Sequence, residues 1–285
     1  TTKIKLLMAV KIGEVHPPLL AKMAATLDHI CNGRLILNIT SGGGSYEPRY
    51  GEKLDHDERY RRTWETVKLM KMLWTQDRTT FKGKFCSVDD VVAVPKPVQK
   101  PHVPLYMVGM SEPARQMSAS EGDVHLMQGD IPSKIQVEVK DIQQRANKLG
   151  RTLRFGMRIQ VVARETEIAA LNALREMMSK VDPRIVVARK QGIDSSDSVE
   201  QSALVNKAIE TDWLEPNIWG GMHAVKAGAG TILVGSYDQV ADRFIEYIKV
   251  GLTHFLLSSY PMTSEAYRFG KHIMPLVKEK LEGEK

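Results

Sequence analysis

The sequence predicts an α/β fold of parallel strands and crossover helices, and within that class a TIM (β/α)8-type barrel over a doubly wound sheet. Three observations carry this. Short apolar runs alternate with helical patterns along most of the 285 residues, as βαβ units do. The first βα turn lacks the GxGxxG fingerprint that a dinucleotide fold places there. The length also suits one barrel of roughly 250 residues, and 42% hydrophobic with 26% charged residues is an ordinary globular balance.

The elements follow in order. Residues 4–10 are a short apolar strand, and Pro17-Pro18 opens a helix with Leu19, Leu20, Met23, Leu27 and Ile30 on one face. Asn32-Gly33 closes that helix, and residues 35–39 form the next buried strand. A polar loop from Ser41 to Asp57 carries Gly42-Gly43-Gly44. A helix through Tyr60, Trp64, Val67, Leu69, Leu73 and Trp74 precedes a Pro-rich excursion over 82–104. Residues 105–108 are a strand, Ser111 is placed to cap a short helix ending near Gly122, and 124–127 are a strand. The helix built on Ile135, Val139, Ile142, Ala146 and Leu149 stops at Gly150, the position where a left-handed residue ends a helix. Residues 155–162 read as a strand and 165–181 as a helix. A polar region over 184–230 then interrupts the alternation. Ser236-Tyr237-Asp238-Gln239 has the capping-box pattern, Gly251 ends its helix, 254–258 are a strand and 264–281 a last helix. The whole of 1–285 is expected to be one domain, with 184–230 inserted as a lid.

Composition narrows the function. The net charge is +6, but Lys and Arg are scattered among Asp and Glu, with no basic stripe and no nucleic-acid motif. An anionic small molecule fits that balance better than nucleic acid. No run of about 18 apolar residues is present for a membrane span, and no signal peptide is visible, so a cytoplasmic protein is expected. Cys31 and Cys86 lack disulfide or zinc spacing and are expected as buried apolar groups. The histidines are dispersed, so no metal site is expected, and His125 and His254 read as core residues.

Side chains alternate along a strand. Phe155, Met157, Ile159 and Val161 therefore share one face, and Gly156, Arg158, Gln160 and Val162 the other. In a barrel the outer face meets apolar helices, which turns Arg158 and Gln160 inward. A buried charge needs a partner, so Arg158 is a functional residue, or is salt-bridged to a structural carboxylate, or the strand faces the other way. By the same alternation Tyr260 lies at the C-terminal end of the last strand, where barrel sites form, or simply caps the core. Asn38, Thr40 and Ser41-Gly42-Gly43 end the second strand with small polar groups whose backbone N–H groups can hold a phosphate. Leu54 to Tyr60 reads as an acidic helix N-terminus.

The string of motifs resembles the bacterial-luciferase-like flavin monooxygenases. Residues 23–30 (MAATLDHI), Asn32-Gly33-Arg34-Leu35, residues 54–60 (LDHDERY), Phe81 to Phe85, Phe155-Gly156-Met157-Arg158, Gly228-Ala229-Gly230-Thr231 and Leu233-Val234-Gly235 carry the likeness. Ser259-Tyr260-Pro261 and Glu265-Ala266-Tyr267-Arg268 are similar to the alkanesulfonate branch. The resemblance implies a (β/α)8 barrel with an insertion. It implies reduced FMN supplied by a separate NAD(P)H-dependent FMN reductase, and O2 that converts an alkanesulfonate to aldehyde and sulfite through a peroxyflavin. Asn38, Ser41, Tyr60 and the Gly109-Met110-Ser111 turn would hold FMN. Arg158, Gln160 and Tyr260 would be catalytic, and Lys226 would bind substrate. A homodimer or homotetramer is implied by analogy.

Three departures loosen the substrate assignment: Gln160 stands where the family pattern has histidine, Lys226 where it has arginine, and Met110 where it has a small residue. Residues 4–10 align with the family's third barrel strand, which leaves about six βα units here. Missing upstream sequence is the expected cause, with a degenerate barrel as the alternative. A deazaflavin-dependent oxidoreductase and a non-catalytic flavin-binding barrel are the competing functions.

Overall fold

A computed structural model describes residues 2–43, 47–194 and 199–283. The chain divides into two compact units, Thr1–His125 with Ile142–Leu153, and Leu126–Asp141 with Arg154–Lys285. The first contains β1 (Leu6–Lys11), α1 (Pro17–Ile30), β2 (Leu35–Thr40), a 3-10 turn (Glu47–Tyr50), α2 (His56–Thr75), β3 (Thr79–Lys82), β4 (Ser87–Val91), β5 (Leu105–Val108) and α3 (Glu112–Glu121). Both β6 (Val124–Gln128) and α4 (Pro132–Lys148) have residues in each unit. The second unit holds β7 (Arg154–Arg164), α5 (Glu167–Ser179), α6 (Pro183–Asp194), α7 (Val199–Glu210), β8 (Trp213–Glu215), β9 (Ile218–Trp219) and a 3-10 turn (Gly221–Ala224). It continues through β10 (Ile232–Ser236), α8 (Tyr237–Lys249), β11 (Leu252–Ser258), α9 (Met262–Arg268), a π-helical stretch (Phe269–Ile273) and α10 (Met274–Gly283).

In the first unit β2 lies parallel between β1 and β5, with Val10 opposite Ile39 and Leu37 opposite Leu105. Leu35, Leu37 and Ile39 are buried, as is the alternate face at Ile36 and Asn38, which is the pattern of a parallel strand covered on both sides. Two prolines start α1, where missing N–H groups cost nothing, and Asn32 and Gly33 end it with φ of 51° and 71°. Asp28, wholly buried on α1, accepts the Gln99 backbone N–H at 3.0 Å and its carboxamide at 2.8 Å. That pair satisfies a buried carboxylate and pins the Pro-rich segment. Asp55 caps α2 by accepting the Glu58 N–H at 2.8 Å. Cys31 and Cys86 are buried free thiols.

In the second unit β7 pairs in parallel with both β11 and β10, while β9 runs antiparallel to β10 and to β8. The capping box is present in full: Ser236 Oγ accepts the Gln239 N–H at 3.1 Å, and Gln239 Oε1 accepts the Ser236 N–H at 2.8 Å.

Three expectations change. The excursion over 82–104 begins inside an antiparallel hairpin of β3 and β4, whose turn donates the Lys84 and Phe85 N–H groups to Glu65 at 3.0 and 2.8 Å. The stretch over 184–230 contains two helices and the β8–β9 hairpin, with 195–198 outside the described residues. Within 264–281 the helix is continuous but passes through the π-helical stretch.

His125 is fully buried, with Nδ1 at 2.8 Å from Ser118 Oγ. Burial, aided by the Arg115 charge, pushes its pKa down to about 3. An unfolded imidazole titrates near about 6.5. The unfolded chain thus binds this proton first, and stability falls as pH drops below about 6.5, by about 1.4 kcal/mol per pH unit for this one group. We predict that His125→Asn lowers the pH dependence of urea stability between about pH 6 and 4 by close to one proton. An unchanged slope would show that His125 does not titrate in this way.

Candidate functional site

The first unit assembles the residues expected to hold a phosphate. Ile39 of β2 stands opposite Met107 of β5, so Ser41 and Gly109, each two residues further on, leave neighbouring parallel strands at the same end. Gly109 has φ 108°, and a side-chain carbon there would lie 2.7 Å from Tyr60 Oη. Only glycine lets the tyrosine hydroxyl approach this turn. Arg115 Nε donates to the Met110 carbonyl at 2.8 Å, which fixes the turn just ahead of α3.

Ser111 stands at the N-cap of α3, yet its hydroxyl makes no capping bond. Pro113 at the second helical position has no N–H to offer, and Ser111 Oγ is left buried without a hydrogen-bond partner. Asn38 Oδ1 is in the same state, and Asn38 and Ser41 are both buried. A helix N-terminus with an unused buried hydroxyl suits an anion. Of this set the structure shows Tyr60 and Gly109 in contact, whereas Asn38 and Ser41 are related to them by strand register alone. Gly44 of the predicted glycine run lies outside the described residues.

The second unit gathers the other predicted residues around the 226–230 loop. Lys226 Nζ donates to Tyr260 Oη at 3.0 Å. Gln160 Nε2 donates to the Ala229 carbonyl at 2.6 Å, and Gln160 is wholly buried with Oε1 unpartnered. A side-chain carbon on Gly228, whose φ is 85°, would stand 3.0 Å from Arg158 Nη2. Arg158 and Gln160 therefore do share a face of β7, as alternation requires. Tyr260 follows β11 and is 46% exposed, so it does not cap a core.

Sequence reasoning missed His223, Thr231 and Gly129. His223 Nε2 lies 3.0 Å from Thr231 Oγ1, and Thr231 Oγ1 hydrogen-bonds to the Gly129 carbonyl. His223 is the sixth of eight dispersed histidines and no pattern signals its contacts, though its place just before the Gly228-Ala229-Gly230 motif could have drawn notice. A cavity of about 730 Å³ lies among α5, α6, α7 and the β8–β9 hairpin, lined by Leu171, Met178, Trp213 and Trp219 among others. None of the predicted site residues lines it, so the chemistry is not assigned there.

Among the described residues no helix is long and apolar enough to cross a membrane, and no group of three or more His, Cys, Asp or Glu could hold a metal ion.

A family model described as luciferase-like monooxygenase matches residues 1–254. Among solved structures, a riboflavin lyase with modified FMN and riboflavin is 22% identical, with a TM-score of 0.81 over 98% of this chain and 71% of that one. A long-chain alkane monooxygenase is 20% identical with a TM-score of 0.81, over 98% of this chain and 70% of that one. An F420-dependent secondary alcohol dehydrogenase with an F420–acetone adduct is 21% identical with a TM-score of 0.67, over 96% and 80%. Likeness at this identity shows the fold, the α/β TIM-barrel type, in a chain shorter than those it matches.

Two substitutions read the helix starts directly. We predict that Ser236→Ala costs about 1 kcal/mol of stability, as loss of a working cap does, while Ser111→Ala stays within about 0.5 kcal/mol because no cap bond is lost. Equal costs in urea unfolding would mean that Ser111 caps α3 after all. Gly109→Ala should cost about 1–3 kcal/mol through its positive φ and the Tyr60 contact.

Proposed function

We propose, from the premise that this chain belongs to the luciferase-like monooxygenase family, that it is a two-component flavin monooxygenase acting on an alkanesulfonate or a related organosulfur compound. Reduced FMN comes from a separate NAD(P)H-dependent reductase, O2 is the second substrate, and the products are an aldehyde and sulfite. In this reading 1–285 is one cytoplasmic catalytic domain with 184–230 as its lid, working as a homodimer or homotetramer.

One observation carries the anionic substrate. Lys226 is half-buried, donates to a phenol, and has no carboxylate partner among the described residues. An ammonium so placed, with a neutral phenol as its partner, has donors left for an anion, and a sulfonate would meet it together with Arg158. The flavin fits the donors of the first unit. Phosphate oxygens only accept, and Tyr60 Oη and Ser111 Oγ each have a hydrogen to give; Ser111 Oγ has no other partner. Bound FMN, once reduced, supplies the electrons that activate oxygen. The rest falls to side chains. Arg158 offers the planar fork that suits a sulfonate. Lys226 occupies a lone pair of Tyr260 Oη, which leaves the phenol hydrogen to donate to substrate. Gln160 fixes the Ala229 carbonyl and with it the loop.

A hydride-transferring deazaflavin enzyme is the second reading, and its support is the likeness to the F420-dependent dehydrogenase. It needs no oxygen. A flavin-binding barrel without turnover would bind FMN and release no sulfite.

The test is sulfite release from octanesulfonate by this chain with FMN, NADH, a flavin reductase and air. No sulfite, with reduction of a deazaflavin by a secondary alcohol instead, would overturn the proposal. Within it, Arg158→Ala should lower kcat/KM about 100-fold, equivalent to about 2.7 kcal/mol, while the Kd for reduced FMN changes less than about twofold. Unchanged turnover would remove Arg158 from the mechanism.

A further inference from the structure

The 226–230 loop holds Lys226, Gly228 and Ala229, the three positions that meet Tyr260, Arg158 and Gln160. Its geometry is set at its base. His223 and Thr231, eight residues apart, are buried at 2% and 0% exposure and hydrogen-bond across the loop at 3.0 Å. The proton inventory fixes the direction of that bond. A carbonyl only accepts, so the single hydrogen of the Thr231 hydroxyl goes to Gly129. Thr231 Oγ1 must therefore accept from His223 Nε2–H. The imidazole is then the neutral Nε2–H tautomer, with a bare Nδ1 that has no hydrogen-bond partner.

The surroundings agree with a neutral ring. Burial, with the nearby Arg189 charge and against the Asp130 charge, holds the His223 pKa down at about 4. Gly230 has no side chain, and a carbon there would collide with the imidazole and with the His223 backbone nitrogen. The ring thus lies directly on the loop backbone. At the other end, the Thr231 carbonyl accepts the Gln160 N–H at 2.9 Å, which joins the clamp to β7.

We propose that His223 is a positioning residue. Through Thr231 it ties the 226–230 loop to the Gly129 carbonyl beyond β6, and so sets Lys226 against Tyr260 and Ala229 against Gln160. An aliphatic residue would remove the imidazole's hold on Thr231 and leave the base of the loop to the Thr231–Gly129 and Gln160–Ala229 bonds. Misplacement of a binding group by an ångström costs rate without any loss of contact to the reacting atoms. The inference rests on the reading of Lys226, Arg158 and Tyr260 as the substrate end.

The test pairs His223→Leu with His223→Gln, whose carboxamide nitrogen falls near the position of Nε2 and can donate to Thr231. Hydrogen exchange of the 226–231 amides is measured on the full chain without flavin or substrate, so it does not depend on the proposed activity. His223→Leu should speed exchange in that segment at least about tenfold and leave the β2 amides unchanged. His223→Gln should return it to within about threefold of the parent. Thr231→Val, an alternative if the leucine variant folds poorly, removes both bonds of the clamp and should loosen the segment at least as much, and His223→Leu should add nothing on top of it.

In the sulfite assay, His223→Leu should raise KM for octanesulfonate at least about fivefold with the Kd for reduced FMN within about twofold, and glutamine should restore KM. Equal exchange in the parent and both the leucine and valine variants would overturn the proposal. Leucine and glutamine behaving alike would overturn it too. If no sulfonate is turned over but the exchange pattern appears, the clamp stands and the substrate reading fails.

Discussion

Gln160 is the residue through which the second unit is tied together. It stands opposite Ile232 of β10 and opposite Ser258 of β11, where the two parallel partners of β7 meet. Its backbone N–H goes to the Thr231 carbonyl and its side-chain amide to the Ala229 carbonyl. Two donors of one residue thus hold both ends of a three-residue segment. A histidine there could match the side-chain donation with a single ring N–H. The carboxamide does so and keeps an acceptor, Oε1, buried and unpartnered. Leaving such an atom unmade costs about 1–3 kcal/mol, which is tolerated where a ligand completes it.

The same logic governs the first unit, by way of strand direction. Parallel strands need crossover connections, so all their C-terminal ends emerge together. There β2 and β5 run out into Thr40-Ser41 and Gly109-Met110-Ser111, small polar or glycine residues except for Met110, where the core residues stop. Leu37, Ile39, Leu105 and Met107 fill the interior below them. The packing thus dictates where polar groups can be left unsatisfied, and Asn38 and Ser111 occupy such places.

Much of this is legible in the sequence itself. Period-2 alternation found the shared face of Arg158 and Gln160, the capping box found the start of α8, and Gly150 found the end of α4 with its φ of 66°. What escaped had no periodic signal. The β3–β4 hairpin is short, and β4 carries Asp89 and Asp90 on a largely exposed strand, so no apolar alternation marks it. The helices α6 and α7 have polar faces with few buried residues, and their charges, such as the Arg184–Asp182 pair at the start of α6, read as loop composition. The His223–Thr231–Gly129 chain joins residues up to 102 positions apart, and no local rule reports that. The unused hydroxyl of Ser111 was invisible for a different reason. Its sequence position is that of an ordinary cap, and only the geometry shows that the bond is not made.

The net charge of +6 says less about the ligand than the fate of individual cations does. In the second unit Arg243 pairs with Glu215 and Glu246, Lys280 with Asp238 and Asp242, and Arg164 with Glu265. Each of these charges is consumed by structure. Lys226 is different, since its partner is a neutral phenol. An ammonium is a compact charge with three rotatable donors and lacks the guanidinium fork. If Lys226 binds the anion as proposed, a lysine there keeps the attraction while relaxing the demand on the anion's shape. Geometric selectivity would then fall to what holds the lysine in place, which in the proposed reading is the short loop closed by His223 and Thr231.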